Sequence, residues 1–246
     1  MPLPAMITPA SLLKPLVCAL ILACGAASSL AESPAQAGLV AWGDSLTYGT
    51  GAVGPEGGKS WTVQFAELSG IEVINKGVGG ETSTQIRKRM LAETALHDRL
   101  TVIWAGRNNA YATDTVKADI AAMVVALAPG TPYLVVGVTN TTAEIKSSDP
   151  NYPDRWKLHL VDKLNAALAE TYGPRFVDVR PLLVGAYDPS LEQDRLDHEQ
   201  DIIPSSLRSG GTHLNERGYA VVAKAIHQAY QAVISKQQSP AIQPTR

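Results

Sequence analysis

Five short apolar runs recur along the chain, each of strand length and nearly continuous: Leu39–Trp42, Ile71–Asn75, Leu100–Trp104, Tyr133–Val138 and Phe176–Val179. A strand that is hydrophobic at successive positions has both faces covered. That is the mark of a parallel sheet between helical layers, not of a half-solvated antiparallel one. The stretches between the runs carry helical periodicity. Ile120, Val124 and Leu127 fall on one face ahead of Pro129-Gly130, a helix stop. Val161, Leu164 and Leu168 repeat the pattern ahead of Tyr172-Gly173-Pro174. Tyr219, Val222, Ile226, Tyr230 and Val233 make one stripe on the last helix, with Asn215 as its N-cap. Strand–helix alternation predicts an α/β fold, a three-layer α/β/α sandwich on a parallel five-stranded sheet. Such sheets bind ligands beyond the carboxyl ends of their strands, which selects the loops to read for function.

No repeat or internal linker interrupts Gly38 to Lys236. One domain is expected over 38–236, followed by a disordered tail at 237–246. Residues 1–31 read as a cleaved signal peptide and 32–37 as a spacer. Lys14 is the only charged residue before Glu32, and the apolar run Leu16–Cys24 is too short for a stable span but suits a signal h-region. Ser29-Leu30-Ala31 puts small residues where a signal peptidase reads, so cleavage after Ala31 is expected, with Ala37 as second choice. The mature protein is then secreted or periplasmic and has no stable membrane span. Two alternatives are a retained hydrophobic anchor and a lipid anchor through Cys24; the bulky Leu22 speaks against the second.

Cleavage removes Cys18 and Cys24, the only two cysteines. A disulfide framework, a Cys-ligated metal and a Cys nucleophile are thereby excluded from the mature protein. The formal net charge of −2 becomes one unit more negative with the loss of Lys14. The densest basic cluster, Arg87-Lys88-Arg89, reads as a solvated helix face, so no nucleic-acid partner is expected. His97, His159, His198 and His227 share neither ligand spacing nor a loop, so no metal site and no cofactor are expected.

At the predicted strand ends stand Gly43-Asp44-Ser45-Leu46, Asn75-Lys76-Gly77-Val78-Gly79-Gly80-Glu81-Thr82 and Gly106-Arg107-Asn108-Asn109; Gly211-Thr212-His213-Leu214-Asn215 precedes the last helix. Together they bring a hydroxyl, a flexible backbone N–H, a side-chain amide and an imidazole to one rim. Those are the parts of acyl transfer. A hydroxyl needs an adjacent base, and His213 titrates in the right range. The oxyanion of a tetrahedral intermediate needs donors already aimed at it. The Ser45 N–H, the Gly80 N–H and the Asn108 amide are the three candidates, with Gly79 and Asn109 as competitors of the last two.

These blocks resemble the SGNH hydrolases, also called GDSL esterases/lipases, over about residues 40–235. Gly43-Asp44-Ser45-Leu46 is similar to the first block, which carries the nucleophile. Gly80 matches the second-block glycine, Gly106-Arg107-Asn108-Asn109 the third block, and His213 before Leu214-Asn215 the block with the base. The resemblance implies a flavodoxin-like fold and metal-independent hydrolysis of esters, often of carbohydrate or lipid substrates. Two positions depart from the pattern. The family has an Asp three residues before the His, where this chain has Gly210, and its third block ends in Asp, where this chain has Asn109. A backbone carbonyl near Ser209 or Gly210, giving a Ser–His dyad, a carboxylate such as Asp197 or Asp201, or nothing at all then stands behind His213.

The expected activity is exported serine esterase, removing a short acyl group, acetyl first, from a small-molecule or carbohydrate ester, as a monomer. Arg107 has two readings, a salt bridge or a contact to an anionic substrate group, and Trp156 is a candidate for a sugar-binding rim. The rivals are a lysophospholipase or thioesterase on longer acyl chains, and a weakly active or non-hydrolytic carbohydrate-binding or acyl-transferring domain.

Overall fold

The computed structural model describes Met1 and residues 38–52, 58–145 and 158–238. The expected signal peptide, the spacer, Trp156 and residues 239–246 lie outside the described residues. The fold below belongs to the second of two compact units, Glu32–Arg246.

Five strands, β1 (Leu39–Gly43), β2 (Val73–Gly77), β3 (Leu100–Trp104), β4 (Tyr133–Val136) and β5 (Phe176–Val177), form one parallel sheet in the order β2-β1-β3-β4-β5. This is the doubly wound, flavodoxin-like order, whose switch point lies between β1 and β3. Helices α1 (Ser45–Tyr48), α2 (Trp61–Ser69), α3 (Ser83–Ala92), α4 (Thr113–Ala126), α5 (Leu158–Tyr172), α6 (Val179–Gly185), α7 (Glu192–Glu199) and α8 (Glu216–Gln238) complete the described elements. The last helix runs two residues past the expected domain end at 236.

Alternation along the strands sends neighbouring side chains into two cores. Leu39, Ala41, Leu100, Val102, Trp104, Leu134 and Val136 pack with α2, α6 and α8 through Trp61, Phe65, Leu183, Tyr219, Val222 and Ile226. Val40, Trp42, Ile103 and Val135 pack on the other side with α3, α4 and α5 through Ile86, Met90, Ile120, Met123, Val161 and Leu164. Both faces of the central strands are therefore dry, as the continuous apolar runs require. Buried aliphatic and aromatic side chains of this kind contribute about 1.5–3 kcal/mol each.

The strand ends shift for polar reasons. β2 runs on to Gly77 through Asn75 and Lys76, because the ladder to β1 continues where the hydrophobicity stops. β4 ends at Val136, and Asn165 then takes over as a side-chain partner: it accepts from the Val138 N–H at 2.8 Å and donates to the Val138 carbonyl at 2.9 Å. β5 is two residues long because the chain turns into α6 directly after it, with Asp178 at the N-cap position.

Candidate active site

β1 ends at Gly43, whose backbone is pressed against its neighbours. A Cβ there would lie 2.0 Å from Thr47 Oγ1 and 2.5 Å from the Trp104 carbonyl oxygen. Only glycine lets the chain turn this tightly from strand into α1. Asp44 caps that turn by accepting the Leu46 N–H at 2.9 Å, and Ser45 is thrown up at the rim. His213 arrives from the other end of the chain. Its loop is closed by the Arg208–Leu214 bridge and by the Ser209 N–H donating to the His213 carbonyl at 2.9 Å. Asn215 then starts α8 by accepting the Gly218 N–H at 3.1 Å, as an N-cap should. Tyr219, one turn into α8, donates its hydroxyl to the Thr50 carbonyl at 2.9 Å and ties the helix to the loop after Ser45.

These supports bring Ser45 Oγ to 2.9 Å from His213 Nε2. With Ser45 as donor, Nε2 accepts and Nδ1 carries the ring proton. Nδ1 has no hydrogen-bond partner among the described residues. Asp197 is spent on Arg208, at 2.7 Å, and on the Ser205 N–H at 2.7 Å. Asp201 is spent on Arg180 at 2.6 Å. The Gly210 carbonyl faces Arg208 Nη1 at 3.5 Å. Among the described residues, none of the expected replacements for the family carboxylate makes a hydrogen bond to the imidazole. Partial burial lowers the pKa of His213, and no carboxylate among the described residues opposes it.

Asn108 faces the same rim. Its Nδ2 donates to the Glu81 carbonyl at 2.8 Å and lies 3.5 Å from Asp44 Oδ2. Asn109 turns away into the protein, accepting the Ser83 N–H at 3.0 Å and donating to Ser83 Oγ at 3.0 Å. The two amides of the Gly-x-Asn block thus differ in placement, Asn108 at the rim and Asn109 buried. Gly80 has φ +78, a left-handed conformation, and nothing would lie within 4 Å of a Cβ there. Among the described residues, the N–H groups of Ser45, Gly79 and Gly80 make no hydrogen bond. Gly79 lies closer to Ser45: a Cβ on it would be 3.9 Å from the Ser45 Cβ. Gly79, Gly80, Asn108, Gly210 and Gly211 are all exposed, so the rim is open to solvent.

Of the two readings of Arg107, the structure has the salt bridge. Its Nη2 meets Glu144 Oε1 at 2.7 Å and its Nη1 donates to the Thr139 carbonyl, with both side chains about nine-tenths covered. The guanidinium is committed to the loop after β4 rather than offered to a substrate anion. It also helps to hold down the pKa of Asp44. Burial pushes that carboxyl up to about 6, against the pull of the Leu46 N–H and of Arg107.

The basic cluster is a solvated face only in part: Lys88 is exposed, but both arginines are paired. Arg87 bridges buried Asp119 at 2.9 Å, and Arg89 grips Glu81. Asp44, Glu81, Arg89 and Glu144 are the residues that sequence reasoning missed. The spacing Glu81 to Arg89 across a helix start was the one local signal for any of them. Among the described residues no group of three or more His, Cys, Asp or Glu is placed to hold a metal.

The sequence matches the GDSL-like lipase/acylhydrolase family over residues 41–221. No curated protein gives a match. Among solved structures, the chain is similar to a member of the G-D-S-L lipolytic protein family from Veillonella parvula, at 16% identity and TM-score 0.58, over 78% of this chain and 97% of that one. It is similar to a catalytic mutant of an acetylxylan esterase from Geobacillus stearothermophilus, at 18% identity and TM-score 0.53, over 78% and 92%. A third is the catalytic domain of peptidoglycan O-acetyltransferase A from Streptococcus pneumoniae, at 16% identity and TM-score 0.50, over 80% and 94%. The family match spans the parallel sheet and the loops that carry Ser45, Gly80, Asn108 and His213, and with it the chain belongs to the GDSL-like lipase/acylhydrolase family and is a carboxylic ester hydrolase.

Proposed function

We propose that this chain is an exported serine esterase that removes a short acyl group, acetyl first, from a carbohydrate. The observation that carries the reading is the 2.9 Å contact between Ser45 Oγ and His213 Nε2, beside three unpaired backbone N–H groups and the Asn108 amide. Ser45 attacks the ester carbonyl as His213 takes the hydroxyl proton. The negative charge that forms on the carbonyl oxygen is met by the Ser45 and Gly80 N–H groups and by Asn108. His213 returns its proton to the departing alcohol, and a water activated by the same imidazole then frees the acyl group from Ser45. Removing the carboxylate from a Ser-His-Asp triad costs about 10⁴ in rate, so this dyad is expected to be slow beside a full triad. Its partly buried imidazole is biased towards the neutral form and ready as a base, and among the described residues no carboxylate supports it once protonated.

The open rim supports a short acyl group on a bulky alcohol. Tyr48, three residues after Ser45, is 54% exposed, and Tyr111, three after Asn108, is 72% exposed. They offer flat faces of the kind on which sugars stack. The acetylxylan esterase and the peptidoglycan O-acetyltransferase both bear names of carbohydrate acetyl chemistry, which fits the same reading. Export rests on the apolar run Leu16–Cys24 and the Ser29-Leu30-Ala31 site.

Turnover of para-nitrophenyl acetate against the octanoate ester, by wild type and Ser45→Ala, tests the activity. Acetate preference lost in Ser45→Ala is expected, and octanoate preference favours the longer-chain rival. Turnover or fluorophosphonate labelling that survives Ser45→Ala overturns the nucleophile. Amino-terminal sequencing of protein recovered outside the cytoplasm should begin at Glu32; a lipidated Cys24 terminus overturns the cleavage site.

A further inference from the structure

Gly79 and Gly80 carry no side chains, and Gly80 has no neighbour within reach of a Cβ. Packing cannot fix where their N–H groups point, so polar anchors on either side must do so. On one side the Val78 N–H donates to the Gly43 carbonyl at 3.1 Å. On the other stands Glu81, whose carboxylate is gripped by Arg89. Nε reaches the two oxygens at 2.9 and 2.8 Å, and Nη2 reaches Oε2 at 2.6 Å.

The same Nη2 donates to the Lys76 carbonyl at 3.0 Å and approaches the Gly43 carbonyl at 3.4 Å. The guanidinium lies 5.5 Å from the ring centre of Trp42, which is fully buried. One planar cation thus joins the end of β1, the end of β2 and the residue after Gly80. Glu81 in turn offers its carbonyl to Asn108 Nδ2 at 2.8 Å.

We propose that Arg89, acting through Glu81, is the positioning residue of the oxyanion donors, setting both the Gly79-Gly80 backbone and the Asn108 amide before substrate arrives. The proposal rests on the serine-esterase reading above. Arg89 touches neither substrate nor reacting atoms in it. Its fork geometry is the point: a lysine keeps the charge but cannot span a carboxylate and a carbonyl together. A donor displaced by about 1 Å costs on the order of 10² in rate, and the loss falls on the step in which the oxyanion forms.

The test uses Arg89→Lys and Glu81→Gln on para-nitrophenyl acetate, with wild type and Ser45→Ala alongside and unfolding followed by circular dichroism. Both variants are expected to stay folded, to lose kcat by about 10- to 100-fold and to change KM by less than about threefold. In an Asn108→Ala background, Arg89→Lys is expected to cost clearly less than in the wild type, because one of the donors it positions is already gone. Folded variants that keep kcat within about twofold of wild type overturn the proposal, as does the same loss in both backgrounds. Wild-type turnover no greater than that of Ser45→Ala overturns the esterase reading itself, and the proposal with it.

Discussion

Asn109 and Ser83 hold each other at both ends: the amide oxygen takes the Ser83 N–H and the amide nitrogen gives a hydrogen to Ser83 Oγ, each at 3.0 Å. Ser83 Oγ passes its own hydrogen to buried Asp119 at 2.6 Å. The position where the family has Asp needs a donor here, because the hydroxyl it faces is already giving its proton away. Asn109→Asp would leave that hydroxyl short of a donor and set a second carboxylate near Asp119. A loss of about 1–2 kcal/mol in urea unfolding at pH 7 is expected. An unchanged midpoint would show that the network reorganises freely.

Asn108→Ala should lower kcat by about 10²–10³ with little change in KM, since its amide matters most when the oxyanion forms. Steady-state kinetics on the acetyl ester decides this. A rise in KM alone would make Asn108 a ground-state binding group.

Acid should act on two groups, partly buried His213 and buried Asp44, in opposite senses. His213 has a lowered pKa, so the acid limb of kcat/KM should lie below pH 6.5, the ordinary histidine value. Below that value the unfolded chain binds a proton that the fold resists, so stability falls as pH falls. Asp44, pushed up to about 6, holds a proton in the fold over a range where the unfolded chain has lost it. Its contribution to stability therefore falls as pH rises from 3.8 towards 6. Asp44→Asn should remove that second slope and leave the His213 limb in the rate profile. Urea melts from pH 4 to 7 and pH–rate profiles of both proteins check it. A shared shift of both limbs would tie the activity to Asp44 instead.

Restoring an Asp at Gly210 should help little. Gly210 has φ +112, where an L side chain is strained, although nothing lies within 4 Å of a Cβ. The loop must relax to accept the residue, and it carries His213. Gly210→Asp is expected to change kcat/KM by less than about tenfold, roughly 1.4 kcal/mol, and to lower stability by about 1–2 kcal/mol. A hundredfold gain in rate would show that the carboxylate finds Nδ1 despite the strain.

The architecture was legible wherever hydrophobic period alone decides it. Each of the five runs became a strand, and the stripes on α4, α5 and α8 all face the sheet. What stayed hidden is polar. α7 escapes a period search because the residues it buries, Asp194 and Asp197, are carboxylates. Asp194 is fully buried and accepts from the hydroxyls and backbone of Ser205, Ser206 and Asp188, which hold its pKa at about 2 against the effect of burial. In the site, the placing of Ser45, Asn108 and His213 on one rim was readable from their blocks. Glu144 was not, because its partner Arg107 is set by the fold across 37 residues of sequence.

The bond between Tyr219 and Thr50 has a consequence for how the enzyme is born. Ser45 emerges early in synthesis, yet its base lies 168 residues later, and the helix that seats that base is the last described element. A nascent chain that already holds its whole sheet still carries an idle hydroxyl. On the serine-esterase reading, ester cleavage waits for α8 to dock, so the Tyr219–Thr50 bond closes the site as well as the fold.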